Sequence, residues 1–201
     1  MTALAKADIR RLLELLNEEL RRTDTAGEIY LVGGALMCLA YDARPSTRDV
    51  DAFFRPAEKV REAAARVAGR AGIDSHWLND AVKGYIGAHG DFASFLELDH
   101  LRVMAAQPEY LLAMKCLAMR IGAEFHDEDD LRFLLRLLEI RSYDHALRTI
   151  TKYVVTDYAA ALAHVKDHPD VRAAVEKVAA AQAKAGASVP GVETQTEQVA
   201  A

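Results

Sequence analysis

The sequence has few cysteines and no long apolar stretch. Only two of its 201 residues are cysteines, Cys38 and Cys116, and both lie in apolar helical patterns. This placement is typical of small buried side chains in a reducing compartment and argues against a disulfide framework. No run of 18 apolar residues and no apolar leader segment occurs, so we expect neither a membrane span nor secretion. The sequence therefore predicts a cytoplasmic protein.

The sequence also lacks an excess of basic charge. Its 25 lysines and arginines are outnumbered by 30 acidic residues, which gives a formal net charge of −5. This balance argues against a generally basic nucleic-acid binder but allows a local basic groove, because the local field decides binding. Among the seven histidines, only His164 and His168 have the four-residue spacing of a helical metal-ligand pair, and no cysteine lies near them, so we do not expect a zinc site. An apolar content of 51% and a charged content of 27% are typical of a globular domain.

The most informative segment is 28–54. Residues 28–32 form a predicted strand that ends in Gly33 and Gly34, and a short helix is predicted at 35–41. A Gly-Gly turn between a strand and a helix leaves backbone N–H groups free to meet phosphate oxygens. Most glycine pairs are ordinary turns, so this turn alone is a weak signal.

Two acids, Asp49 and Asp51, stand on the next predicted strand, 49–54. Side chains two residues apart on a strand share a face, so both carboxylates project together. The alternate residues then face the core: Val50, Ala52 and Phe54. A hard divalent cation such as Mg²⁺ would relieve the repulsion between the two carboxylates. The alternative is that they are solvent-facing charges on an edge strand. Together with the Gly-Gly turn, the acid pair favours phosphoryl or nucleotidyl transfer.

A polar loop precedes the acids and contains Ser46, Thr47 and Arg48. A hydroxyl or a guanidinium at this place could bind a phosphate. The alternative is a connecting loop without a ligand. Further along the chain, Trp77, Asn79, Asp80 and Lys83 either line a cleft or cap a helix, and we assign them no role.

Periodicity and chain breakers predict the remaining elements. Helices are expected at 3–22, 57–71, 107–121, 131–140 and 171–184, with one or two more at 143–165, one or two strands within 92–103, and an irregular segment or short helix at 73–83. The order of these elements predicts an α+β fold, with a small mixed sheet, flanking helices and a C-terminal helical part. The predicted domains are an α/β core at 1–105, a helical part at 106–184 and a disordered tail at 185–201.

The order of these motifs resembles the DNA polymerase beta-like nucleotidyltransferase superfamily, over roughly residues 28–140 of the chain. A strand ending in Gly-Gly, a helix, and Asp-x-Asp on a strand match Gly33-Gly34 and Asp49-Val50-Asp51. The flanking Ser46-Thr47-Arg48 and Phe53 are similar to one branch, the abortive-infection and MenT type toxins and their bacterial relatives. The resemblance therefore implies a nucleotidyltransferase fold.

That branch also places a lysine on a helix and acids at the start of the next helix, which matches Lys115, Asp127 and Asp130. The resemblance implies that Lys115 neutralises charge on the triphosphate, and that Asp130 or Asp127 orients Lys115 or acts as a base. Each has an ordinary alternative. Lys115 could be a surface lysine whose stem packs on its helix. Asp127 could be an N-cap, with Asp130 complementing the helix dipole.

For activity, the resemblance implies that a nucleoside triphosphate (NTP) binds with Mg²⁺ at the acid pair. A nucleoside monophosphate is transferred to an acceptor hydroxyl, and pyrophosphate is released. In the toxin branch the acceptor is tRNA, and a separate antitoxin restrains the toxin. The superfamily adds a third carboxylate on a neighbouring strand, for which Glu97, Asp99 or neither is a candidate. Two alternatives stay open: a catalytically silent nucleotide-binding module of the same fold, and a structural helical interaction protein.

Overall fold

A computed structural model describes residues 3–80, 90–118 and 127–153, together with 172–173 and 176–177. The chain divides into two compact units. The first comprises Met1–Ile86 and Asp91–Gln107, and the second comprises Gly87–Gly90 and Pro108–Ala201. The predicted α+β class is confirmed, because the described residues combine helices with a five-stranded mixed sheet. The predicted tail at 185–201 lies outside the described residues, as do most of the predicted helix at 171–184 and residues 154–165.

The first unit alternates short strands with three helices in its described residues. In chain order these are β1 (Leu4–Ala5), α1 (Lys6–Arg22), β2 (Gly27–Leu31), α2 (Gly33–Leu39), β3 (Ser46–Thr47), β4 (Val50–Arg55), α3 (Ala57–Ala71), β5 (Leu78–Asn79), β6 (Phe92–Glu97) and β7 (Leu101–Ala106).

Strand β2 is the central strand of the sheet, whose order is β5-β4-β2-β7-β6. It pairs antiparallel with β4 and parallel with β7. Strand β5 adds to β4 in parallel, and β6 adds to β7 antiparallel. This topology brings the end of β2, the start of β4 and the short β5 to the same end of the sheet.

The core of the first unit follows from the alternation of its strands. On β4 the predicted inward side chains are fully or almost fully buried: Val50, Ala52 and Phe54. Those between them, Asp51 and Phe53, are half-buried. Helix α1 adds a leucine-rich stripe that is completely buried, as expected for an amphipathic helix covering one face of a sheet.

Helices α1 and α3 are also joined by a buried carboxylate. The Glu19 side chain is only 4% exposed and forms ion pairs with Arg22 at 2.8 Å, with Arg66 at 3.1 Å and with Arg70. Burial raises the pKa of Glu19, but the hydrogen bonds from Arg66 and Arg70 and the nearby arginine charges outweigh this effect. The pKa of Glu19 therefore lies below its usual value, and the carboxylate stays ionised.

Helix α3 has the predicted bounds, because Pro56 precedes it and Gly72 follows it in a left-handed conformation, with φ of +67°. Two short strands differ from the prediction. Ser46 and Thr47, expected in a loop, form β3 and pair with β1. The segment expected to be irregular or helical contains β5, which a tertiary contact holds: the buried Trp77 indole donates to the Ala64 carbonyl at 3.1 Å.

The second unit contains three helices in its described residues: α4 (Pro108–Leu117), α5 (Asp127–Leu137) and α6 (Tyr143–Thr151). Helix α5 begins four residues before the predicted start at 131, and its first turn is entirely acidic. Acidic side chains at this end complement the helix dipole, which favours helix in these residues. Residues 119–121 of the predicted fourth helix lie outside the described part. No helix in the described ranges is both long enough and apolar enough to cross a bilayer.

Candidate functional site

The predicted acid pair lies where three strands meet. Asp49 directly precedes β4, Asp51 is its second residue, and both side chains are half-buried. The Val32 N–H donates to the Asp51 carbonyl at 3.1 Å, and the Val50 N–H donates to the Trp77 carbonyl at 2.6 Å. The backbone around the acids is therefore held from both sides by neighbouring segments.

Gly33 and Gly34, predicted as a turn before a helix at 35–41, are the first two residues of α2, which ends at Leu39. Gly33 lies directly against the Asp51 side chain. Its φ of +63° is in the left-handed region that favours glycine. A Cβ built on Gly33 would lie 2.6 Å from Asp51 Oδ2 and 3.1 Å from Asp51 Cβ. The position therefore requires glycine for its backbone and for the space that the carboxylate occupies. The turn and one of the acids, predicted separately from the sequence, are thus in direct contact.

Gly34 is closed in by the polar loop. A Cβ on Gly34 would lie 2.7 Å from Arg44 Nη1 and 2.7 Å from Thr47 Oγ1. Thr47 is buried, and its backbone is fixed by the pairing of β3 with β1. The missing side chain of Gly34 thus leaves room for a guanidinium and a hydroxyl next to the turn.

The structure adds Arg44 to the residues expected from the sequence. It is half-buried beside Gly34, whereas the predicted Arg48 is exposed, and Ser46 is half-buried on β3. The sequence indicates only that Arg44 belongs to a polar loop between the turn and the acids. Its contact depends on the path of that loop.

A second residue beside the acids is Asn79 on β5. Its Nδ2 donates to Asp49 Oδ2 at 3.1 Å, and the strand register places it opposite Asp51. The next residue, Asp80, forms an ion pair with Arg61 of α3 at 2.7 Å. The sequence placed Asn79 either in a cleft or at a helix cap, and it lies on a strand beside the acid pair.

The candidates for a third carboxylate, Glu97 and Asp99, lie elsewhere. Glu97 lies opposite Arg102 in the register of β6 with β7, near the start of β7, and β7 runs parallel to β2. Glu97 and the following Asp99 therefore belong to the end of the sheet where β2 begins, opposite the acid pair. The strand order therefore fits the alternative in which neither Glu97 nor Asp99 is the third carboxylate. The sequence does not reveal this strand order.

The acid pair fits the preferences of Mg²⁺. This ion binds oxygen ligands and is commonly held by one or two carboxylates, with water and substrate phosphates completing its coordination. Asp49 and Asp51 supply two carboxylates two residues apart, of which Asp51 lies on β4 and Asp49, predicted on the same strand, lies directly before it. Among the described residues, no group of three or more histidine, cysteine or acidic side chains is placed to hold a metal. The pair would thus depend on phosphate oxygens for its remaining ligands.

In the second unit, Lys115 lies between two acids of α5. Its Nζ is 3.2 Å from Asp127 Oδ1 and 2.6 Å from Asp130 Oδ2. The side chains are 10%, 7% and 3% exposed, respectively, so the interpretation of Lys115 as a surface lysine is wrong. Two carboxylates and one ammonium leave a formal charge of −1, which the N-terminal end of α5 helps to stabilise. These ion pairs fix the position of the ammonium group.

The two cysteines have no features of a nucleophile. Both are buried free thiols, as the apolar patterns predicted. Burial raises the pKa of Cys116 to about 12 and, with the charge of Asp42, also raises that of Cys38. Since the thiolate is the reactive form, neither cysteine is suited to covalent catalysis at neutral pH.

Comparisons of the chain with protein-family models, with curated proteins and with solved structures find no match. The resemblance to nucleotidyltransferases therefore stays a prediction from the order of the motifs. Two clusters of side chains support a function through their geometry. In the first unit, Gly33 contacts Asp51, and Asn79 lies beside the acid pair. In the second unit, Lys115 lies between Asp127 and Asp130.

Proposed function

We propose that the chain is a cytoplasmic, magnesium-dependent nucleotidyltransferase that moves a nucleoside monophosphate from an NTP to an acceptor hydroxyl. The observation that carries the proposal is the contact of Gly33 with Asp51, beside that of Gly34 with Arg44 and Thr47. Within one unit, two glycines lie beside a guanidinium, a hydroxyl and a carboxylate of the kind that binds metal ions. This combination suits a substrate that carries both phosphates and a cation.

The phosphate-binding role belongs to the turn and the loop after it. Gly33 and Gly34 are proposed to bind phosphate oxygens through their backbone N–H groups, and their missing side chains leave room beside them for Asp51, Arg44 and Thr47. The planar guanidinium of Arg44 matches the geometry of phosphate oxygens, and the Thr47 hydroxyl can donate one further hydrogen bond. The predicted contributions of Ser46 and Arg48 stay part of the proposal, because both belong to the same loop.

The metal-binding role belongs to Asp49 and Asp51. A bound Mg²⁺ would neutralise charge on the triphosphate and lower the pKa of the acceptor hydroxyl. The chain itself contributes the placement of its carboxylates, which the β2, β4 and β5 backbones fix. Most of the rate acceleration in such a reaction comes from positioning and charge stabilisation.

Lys115 is proposed to neutralise charge on the leaving pyrophosphate, with Asp127 and Asp130 orienting its ammonium group. The two ion pairs support the orienting role, since they hold Nζ in one place. The resemblance to the toxin branch extends the proposal to tRNA as the acceptor and to an antitoxin as a partner. The extension predicts that expression arrests growth and that the product of a neighbouring gene relieves the arrest.

The experiment is incubation of the full chain with Mg²⁺, total tRNA and one labelled NTP at a time. We expect a labelled RNA band and pyrophosphate release, and Asp49→Asn and Asp51→Asn should each abolish both. The matched control is Asp99→Asn, which removes an exposed acid at the opposite end of the sheet and should leave the activity unchanged. If Asp49→Ala consumed NTP in the presence of Mg²⁺ at the unchanged rate, the proposal would be refuted.

A second candidate function is a nucleotide-binding module without turnover. The observation in its favour is that Asn79, beside Asp49 and opposite Asp51, is neutral. A carboxylate at this position would give the site the third acid that the superfamily adds for catalysis. Titration with each NTP, with and without Mg²⁺, separates the candidates: binding without pyrophosphate release indicates the module. The remaining alternative, a structural helical interaction protein, predicts no Mg²⁺-dependent NTP binding at all.

A further inference from the structure

Asn79 is held in place by contacts on both sides of it in the chain. Two residues earlier, Trp77 is buried, and its indole donates to the Ala64 carbonyl at 3.1 Å. The Trp77 carbonyl in turn accepts the Val50 N–H at 2.6 Å, which ties this segment to β4. On the other side, Asp80 pairs with Arg61 at 2.7 Å. Because the flanking residues are anchored to α3 and β4, the backbone of Asn79 has little freedom.

The Asn79 amide acts on one of the proposed metal-binding carboxylates. Its Nδ2 donates to Asp49 Oδ2 at 3.1 Å, a normal hydrogen-bond length. Carboxylates that bind metals are commonly oriented by such hydrogen bonds from a neighbouring residue. We propose that Asn79 is a positioning residue, which orients the Asp49 carboxylate for a divalent cation held by Asp49 and Asp51. The inference rests on the proposed function of that site.

The chemistry of an amide suits this position. Asp49 and Asp51 already place two negative charges two residues apart in the chain, and a third carboxylate on β5 would add to their repulsion. An amide has no charge, and its NH₂ group donates to Asp49. Asn79 therefore orders one carboxylate without raising the charge of the site, at the cost of one potential anionic ligand.

The test is a calorimetric titration of the full chain with Mg²⁺ in the presence of a non-hydrolysable NTP analogue. Loss of an orienting hydrogen bond typically weakens metal affinity about 10- to 100-fold, and we expect this loss in Asn79→Ala. The matched control is Asn17→Ala, which removes another hydrogen-bonded asparagine side chain of the same unit, whose Oδ1 accepts from the His100 N–H at 2.8 Å. Asn17→Ala should leave the Mg²⁺ affinity unchanged.

The outcomes separate the inference from the function on which it rests. If the unmutated chain binds Mg²⁺ and Asn79→Ala matches Asn17→Ala, the positioning role is overturned and the proposed function stands. If the unmutated chain binds no Mg²⁺ with the analogue, the proposed function fails, and the inference fails with it. A second variant, Asn79→Asp, keeps the side-chain volume but places a carboxylate against Asp49. Its melting temperature without metal should fall, and an unchanged value would also contradict the donated hydrogen bond.

Discussion

Replacing Gly33 by alanine tests the contact between the turn and the acid most directly. Alanine at a φ of +63° carries a strain of about 1 to 2 kcal/mol, because its Cβ crowds the backbone in the left-handed region. The same Cβ would lie 2.6 Å from Asp51 Oδ2, so the carboxylate must move. Overpacking of this kind costs about 1 to 3 kcal/mol. We therefore expect Gly33→Ala to lower the free energy of unfolding by about 2 to 5 kcal/mol.

Gly72→Ala is the matched control, because Gly72 shares the positive φ of Gly33 but not its contact with a carboxylate. Its φ is +67°, and nothing lies within 4 Å of a Cβ built there. The difference between the two variants in urea denaturation therefore isolates the contact with Asp51. The further change Asp51→Ala removes the carboxylate, and we expect it to shrink the excess cost of Gly33→Ala in a double-mutant cycle.

Two results would refute this reasoning. One is an equal loss of stability in Gly33→Ala and Gly72→Ala, since the contact would then contribute nothing. The other is full additivity of Gly33→Ala and Asp51→Ala, which would show that the two positions are not coupled in solution. Either result would also remove the observation that carries the proposed function.

Two further predictions concern buried charges. The lowered pKa of Glu19 gives a stabilisation that is present above about pH 4.3, the usual pKa of glutamate, and is lost as pH falls through the lowered value. Glu19→Gln should therefore lower the free energy of unfolding by about 1 to 3 kcal/mol at pH 7 and make that free energy depend less on pH in the acid range. Glu18 is the control, because its side chain is 47% exposed and lies 3.8 Å from Arg70. Glu18→Gln should have neither effect. Lys115→Met should cost about 3 to 5 kcal/mol in urea denaturation, because two buried carboxylates each lose an ion pair with Lys115. The exposed Lys152→Met should cost no more than about 1 kcal/mol, and similar losses for both lysines would argue against a buried pair.

The sequence predicts the longer elements because their signals are local. Helix α3 has strong helix formers between Pro56 and Gly72, and both ends follow from these two residues. The inward face of β4 follows from strict alternation. Strand β5 has only two residues, and its pairing depends on the indole of Trp77 reaching the backbone of Ala64, which no local pattern reveals.

The candidate site divides in the same way. Gly33 and Asp51 can be selected from motif order, and the pairing of β2 with β4, which carries Asp51, brings them into contact. Arg44 and Asn79 were not selected, because their places depend on the path of a loop and on which strand lies beside β4. The same reason explains why Glu97 does not lie beside the acid pair: the local pattern predicts its strand, but long-range pairing sets the end of the sheet to which Glu97 belongs.

The topology of the central strand has a consequence for the order of folding. Strand β2 pairs on one side with β4, which follows after a short helix and loop, and on the other side with β7, where Gly27 meets Leu101. Closing the shorter loop costs less entropy, so the β2–β4 pair can form before the sheet is complete. The turn and the acid would then come together in the folding nucleus, while β7 joins later. The variants Ile29→Val and Val103→Ala test this order. Relative to its effect on stability, Val103→Ala should slow folding less than Ile29→Val does. The reverse result would contradict the order in which the strands are proposed to pair.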